Sequence, residues 1–196
     1  MRVLLTGSTG QLGQAIISKK PSNIELITTS RRDLNLEKYD NCLEAVDRYK
    51  PDWIINSGAY TAVDNAQSEA SKAELVNAEA PKAFAKAIKA KGGKILHIST
   101  DFVFDGLQRK PYKANHKVNP LCVYGETKAK GEKAIKNILF PTHQAFILRT
   151  SWVIGPVGKN FALTMLKLHE TKQTISVVDD QIGSPTSTFS LASTCW

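Results

Sequence analysis

Five short apolar runs rich in β-branched residues recur along this chain, separated by longer segments of helical period. The runs are Arg2–Thr6, Ile24–Thr28, Trp53–Asn56, Lys94–Ser99 and Ala145–Leu148. Helices are expected near Gln11–Lys19, Leu36–Tyr49, Ala66–Lys91 and Val123–Asn137. Inside the third, Pro81 marks a kink or a fresh start. Phe84, Ala87, Ile88 and Lys91 then keep the helical spacing until Gly92 and Gly93 stop it. Such alternation predicts an α/β fold, a Rossmann-type doubly wound parallel sheet with helices on both faces. Ligands of such sheets bind beyond the carboxyl ends of the strands, so the segment after each strand matters most.

Composition narrows the classes of function. The 196 residues suffice for a domain with a substantial core, and 42% hydrophobic with 22% charged residues is ordinary for a globular protein. No apolar run approaches bilayer length, and the apolar start "MRVLLTG" is too short for a signal peptide's core. Cys42, Cys122 and Cys195 are odd in number and widely spaced, which reads as reduced thiols in the cytoplasm. His97, His116, His143 and His169 are scattered too, so no metal site is expected. The net charge of +8 comes from lysines strung along helices, as in "KAFAKAIKAKGGK" and "KAKGEKAIK". No aromatic residues interleave with them, so solvated helix faces are expected rather than a nucleic-acid surface.

The first strand runs into "TGSTGQLG", a GxxGxxG pattern of Gly7, Gly10 and Gly13 that opens a helix. Glycines here permit a tight turn and let a pyrophosphate approach the backbone and the amides at the helix start. The second strand ends in "TTSRRDL", with Ser30 and Arg31 and no acid at the tip. An arginine beside a hydroxyl suits a 2′-phosphate, which favours NADPH, with NADH as the alternative. Asp33 and Leu34 are then placed against the adenine. After the third strand, Ser57, Gly58 and Ala59 are small enough for a cofactor to pass close to the backbone.

The fourth strand ends in Ser99, Thr100 and Asp101, where a hydroxyl can bind a substrate carbonyl. Tyr124 and Lys128, in "NPLCVYGETKAKGEKA", lie one helical turn apart and share a face. A phenol titrates near pH 10, and a nearby ammonium is expected to lower that value. The pair can then deliver a proton to a carbonyl oxygen while hydride arrives at carbon. The spacing alone is common. Its position after a glycine loop and a hydroxyl-bearing strand end gives it meaning.

On these residues the sequence resembles the extended short-chain dehydrogenase/reductases, and among them the dTDP-4-dehydrorhamnose reductases. The resemblance is carried by "LLTGSTGQLG", "NSGAYTAVDNAQSE", "STDFVFDG", "LRTSWVIGPVGKNF" and "VVDDQIGSPTS" together with the tyrosine–lysine stretch. It implies cofactor contacts at Gly10, Gln11, Leu12, Asp33, Leu34, Ala59, Tyr60 and Thr61. It implies Tyr124 as proton donor and Lys128 as its partner, also binding the nicotinamide ribose. Thr100 and Asp101 would hold the sugar near its keto group, and Trp152 would pack beside the substrate. The implied reaction is NADPH-dependent reduction of the C4 ketone of a dTDP-linked 6-deoxysugar, within cell-surface polysaccharide synthesis.

The chain departs from the family pattern in three places. Phe102 and Ile154 stand where relatives carry tyrosine, and neither lost hydroxyl belongs to the proton relay. The family also continues well beyond "STFSLASTCW". The expectation is therefore a cofactor domain over 1–150, the start of an incomplete substrate lobe over 151–196, and weakened turnover. Some relatives dimerise through a Mg²⁺ site in the absent region, which leaves Mg²⁺ dependence and the choice of monomer or homodimer open. Two rivals share the scaffold: a nucleotide-sugar epimerase or dehydratase, and a non-catalytic NADP-binding regulatory subunit. Elimination chemistry needs an Asp–Glu pair after the threonine, and here Asp101 precedes Phe102.

Overall fold

A computed structural model describes all residues, 1–196. β1 (Arg2–Thr6) leads through a glycine turn into α1 (Gln11–Ser18), followed by β2 (Glu25–Thr28), α2 (Tyr39–Tyr49) and β3 (Trp53–Asn56). Next come α3 (Ala70–Glu74), a π-helical segment Leu75–Glu79, α4 (Ala80–Ala90), β4 (Lys94–Thr100), α5 (Val123–Leu139) and β5 (Ala145–Thr150). The remainder holds β6 (Val153–Ile154), α6 (Phe161–Thr171), β7 (Thr186–Ser187) and α7 (Thr188–Cys195). No helix is long and apolar enough to cross a membrane.

β1 to β5 form one parallel sheet in the order β2-β1-β3-β4-β5, the expected doubly wound fold. The order reverses between β1 and β3: β1 leads to α1 on one face and β3 leads on to α4 on the other, so a crevice opens beyond their carboxyl ends. Alternation along the strands feeds two cores. Leu4, Ile54 and Ile95 point toward α2, α4 and α5 and pack with Val46, Phe84, Ile88, Ile135 and Leu139. Val3, Leu5, Ile55 and Leu96 point the other way, to Leu12 and Ile16 of α1 and Leu191 and Ala192 of α7. Each buried Val, Leu, Ile or Phe among them contributes about 1.5–3 kcal/mol relative to exposure.

The expected helix over Ala66–Lys91 is instead broken into a turn at Asn65–Gln67, α3, the π segment and α4. Pro81 explains the break. It has no N–H, and in a continuous α-helix its missing partner would be the carbonyl of Asn77. The π segment absorbs the mismatch, and the freed Asn77 carbonyl lies against α5. A Cβ on Gly131 of α5 would come 2.1 Å from that oxygen, so only glycine permits the contact.

Residues after 150 do not all leave the sheet domain. β6 and β7 pair as a small parallel ribbon, and α6 buries none of its residues. α7, however, packs under α1, where the Trp196 indole donates to the Ile16 carbonyl at 3.0 Å.

Candidate active site

A cleft of about 570 Å³ lies across the carboxyl ends of β1, β3 and β4. The glycine turn forms one end. Gly7 has φ +66°, a left-handed conformation in which a Cβ would also lie 2.7 Å from the Gly58 backbone. A Cβ on Gly13 would meet the Gly7 carbonyl at 2.2 Å, so α1 starts as close to the turn as backbone allows. Gly10 caps α1 without a side chain, and no acid occupies the first turn. The opening amides of α1, at Gln11, Leu12 and Gly13, therefore meet the cleft with the positive end of the helix dipole behind them. This cradle fits a dinucleotide pyrophosphate.

Ser30, Arg31 and Leu34 line the cleft after β2, but Asp33 does not. Its carboxylate is turned back into its own loop, accepting from the Ser30 amide at 2.9 Å and the Ser30 hydroxyl at 2.7 Å. Those bonds hold the Asp33 carboxyl below its usual range. Arg31 is the basic side chain after β2 that lines the cleft, beside Asn35 and Glu37 further along. Ala59, Tyr60 and Thr61 line the wall after β3. Their loop is held by Asn77, which accepts from the Tyr60 amide at 2.9 Å and donates to the Tyr60 carbonyl at 3.1 Å. The same Asn77 amide donates to Thr127 of α5 at 3.2 Å.

Thr100, Asp101, Tyr124, Lys128 and Trp152 gather at the opposite end of the same cleft. The Thr100 hydroxyl donates to Asp101 at 3.0 Å and accepts from the Phe102 amide at 3.2 Å. Burial pushes the Asp101 carboxyl up. Phe102 packs edge-on to Tyr124, with ring centroids 5.5 Å apart. Tyr124 and Lys128 are both buried, and the Lys128 ammonium donates to the Ile98 carbonyl at 2.7 Å. Trp152, at φ +44°, stands half exposed at the rim and packs over Gly183.

Electrostatics here differ from the expectation drawn from spacing. The Tyr124 phenol is pushed up to about 12, first by burial and then by the Asp101 charge, with the Thr100 hydroxyl beside it working the other way. Lys128 falls to about 8, because burial outweighs the favourable charge of Glu132. A shared helix face sets the two side chains side by side. It does not say that Lys128 spends a hydrogen on a strand carbonyl or that the floor is dry.

Several cleft residues had no sequence signal: Leu36, Lys72, Val76, Thr150 and Lys159. Lys159 and Asn160 arrive through "GPVGKN", where the Lys159 carbonyl accepts from the Gln11 side chain at 2.9 Å and Asn160 donates to it at 2.7 Å. Two glycines around a proline mark that stretch as a turn, which was the one available hint.

A parallel sheet whose glycine turn and tyrosine–lysine helix share one cleft defines a domain of the short-chain dehydrogenase/reductase class. More narrowly, the chain belongs to the family described as the RmlD substrate binding domain, whose model matches residues 1–196. It is 40% identical over 194 residues to a dTDP-4-dehydrorhamnose reductase of Aggregatibacter actinomycetemcomitans, covering 98% of this chain and 65% of that protein. The chain therefore spans just under two thirds of that relative's length. A crystal structure of a dTDP-4-dehydrorhamnose reductase from Clostridium acetobutylicum superposes with a TM-score of 0.93 at 39% identity, covering 100% of this chain and 69% of that one. One from Bacillus anthracis, in complex with NADP, gives 0.92 at 35% identity, covering 99% and 69%.

Proposed function

We propose that this chain carries the cofactor and proton-transfer machinery of a dTDP-4-dehydrorhamnose reductase, which reduces the C4 ketone of dTDP-4-dehydro-6-deoxy-L-mannose to dTDP-L-rhamnose. One observation carries the reading: Thr100, Tyr124 and Lys128 meet at one end of a cleft whose other end is an open helix start in a glycine turn. The span between them suits a dinucleotide laid along the strand ends.

NADPH, when bound, supplies the hydride. The amides of α1 hold its pyrophosphate, Arg31 meets the 2′-phosphate, and Ala59, Tyr60 and Thr61 line its path. Tyr124 holds the proton destined for the ketone oxygen, and with a phenol near 12 it is fully loaded at neutral pH. Lys128, fixed by the Ile98 carbonyl, faces the nicotinamide ribose and lowers the cost of phenolate once the proton has left. Thr100 turns its hydrogen from Asp101 to the ketone oxygen, and Trp152 closes the sugar side. Residues 1–150 together with α7 make up the cofactor domain, and the stretch between them, from β6 to β7, begins the substrate lobe. The nucleotide-sugar is a small-molecule partner, and a cytoplasmic location suits an enzyme drawing on NADPH.

The test is NADPH consumption with dTDP-4-dehydrorhamnose, for this chain beside a full-length relative. Tyr124→Phe should cut turnover by at least about 10²-fold while NADPH affinity changes less than about threefold. One NADPH should be oxidised per product, which a cofactor-recycling epimerase or dehydratase would not do. A Tyr124→Phe variant that reduces the ketone at the parent rate would refute the assignment.

A further inference from the structure

Beneath the cleft lies a buried titratable group that the reaction above does not use. His97 of β4 is fully buried, and its Nδ1 lies 3.0 Å from the side-chain nitrogen of Asn56, its register neighbour on β3. The direction of that contact is fixed from the cleft wall. The Gly58 amide can only donate, and it donates to the Thr6 hydroxyl oxygen at 3.0 Å. Thr6 passes its own hydrogen to Asn56 Oδ1 at 2.6 Å, the only acceptor the structure gives it. Asn56 therefore turns its NH₂ toward His97, whose Nδ1 is a bare acceptor. A neutral imidazole with a bare Nδ1 carries its proton on Nε2, and His97 Nε2 is a buried atom without a partner in the protein.

The surroundings leave one unbalanced charge near the ring. β3 contributes Asn56, β5 contributes Ile147 in register, and α4 contributes apolar Ala80, Ala83, Phe84 and Ile88 to that face of the sheet. α5 contributes Lys128 and, a turn further on, Glu132. Glu132 is already engaged, at 2.6 Å by Arg149 and at 3.1 Å by Lys136. Lys128 is close enough for its charge to act on the imidazole, and burial and that charge together hold His97 well below its usual range.

We propose that the one-way chain Gly58–Thr6–Asn56–His97 is a positioning device for Lys128. It locks His97 as the neutral Nε2–H tautomer and so keeps Lys128 the only cation on the floor beneath Tyr124. Asn56 and His97 touch neither cofactor nor substrate and act through Lys128. Thr6 and Gly58 line the cleft, so the state of its wall and the charge of its floor are linked through four residues. Charging His97 would require Asn56 to turn its carbonyl to the ring and its NH₂ to Thr6, which would leave the Thr6 hydroxyl hydrogen without the acceptor it now has.

The inference builds on the role proposed for Lys128, but its test needs no turnover, so failure to reduce a ketone leaves it decidable. The imidazole tautomer of His97 is read by long-range ¹⁵N–¹H NMR on the whole chain between about pH 5.5 and 8.5. Lys128 is followed through its ¹³Cε shift in the same samples. The parent should show neutral His97 protonated on Nε2 throughout. Thr6→Val, nearly isosteric, should release Asn56 and move the His97 proton to Nδ1. The bared Nε2 then becomes an acceptor beside the ammonium, and the Lys128 midpoint should rise by about half a pH unit or more. Thr6→Ser should restore the parent spectra. An Nδ1–H or cationic His97 in the parent overturns the proposal, and that spectrum decides the matter even if Thr6→Val does not fold. So does a folded Thr6→Val in which the Lys128 midpoint stays in place or falls.

Discussion

Lys128 is the residue at which burial and charge are most at odds. Its ammonium is buried and falls to about 8, against 10.5 for a free lysine. Below about pH 8 folded and unfolded chains both hold the proton, and the folded chain bears the full desolvation penalty. Between about 8 and 10.5 the folded chain gives up the proton while the unfolded chain keeps it, so this group's contribution makes stability rise with pH. Lys128→Met should accordingly raise unfolding free energy by about 1–3 kcal/mol at neutral pH and abolish that rise, measured by urea denaturation across the range. The proposed cofactor preference is also tested at the residue scale. With Ser30 and Asp33 bonded to each other, the proposed contact to a 2′-phosphate rests on Arg31. Arg31→Ala should weaken NADPH about tenfold while leaving NADH nearly unchanged, as read by nicotinamide fluorescence titration. Sequence grouped Tyr124, Lys128 and Thr100, and the structure brings them to one cleft because each sits at a strand end or helix start whose direction is set by the fold. The inward turn of the Asp33 carboxylate was not legible, since a side chain folding back on its own turn leaves no periodic trace.

At the scale of elements, α5 is the decisive piece. It carries Tyr124 and Lys128 toward the cleft and Gly131 toward the π segment, so its seat is fixed by backbone against backbone. Gly131→Ala has nowhere to place its methyl group without moving either α5 or the Asn77 carbonyl. A loss of about 1–3 kcal/mol is expected, with weakened NADPH binding as Tyr60 and Thr127 lose their common Asn77 contact, both measurable on the purified variant. The five strands of the sheet and the helices that cover one face were legible from apolar runs and period. The π segment was not, because one extra residue in a turn scarcely disturbs the hydrophobic stripe, and Pro81 announces a break without its kind. β4 and β5 also run on through Thr100 and Thr150, polar residues that ended the apolar pattern early.

Taken whole, the molecule is a sheet clasped unevenly. One face is covered by α2, α4 and α5, while α1 and α7 cover the other around β1, β3 and part of β4. Toward β5, Phe146 is 55% exposed and stacks on Trp53 at 5.9 Å. The part played by α7 was invisible in sequence: eight residues of small and hydroxylated side chains give too short a period to read. Its contribution is nonetheless measurable. Leu191→Ala removes a buried side chain between α7 and the sheet, and should cost about 2–5 kcal/mol in denaturant unfolding. The same packing sets a timetable. The Trp196 indole reaches back 180 residues to the Ile16 carbonyl. At about 5–20 residues per second of synthesis, the phosphate-loop helix waits roughly 10–40 s on the ribosome before its supporting helix exists. This face of the nascent domain therefore stays open for chaperones until α7 has been made, and α1 gains that support only when α7 docks.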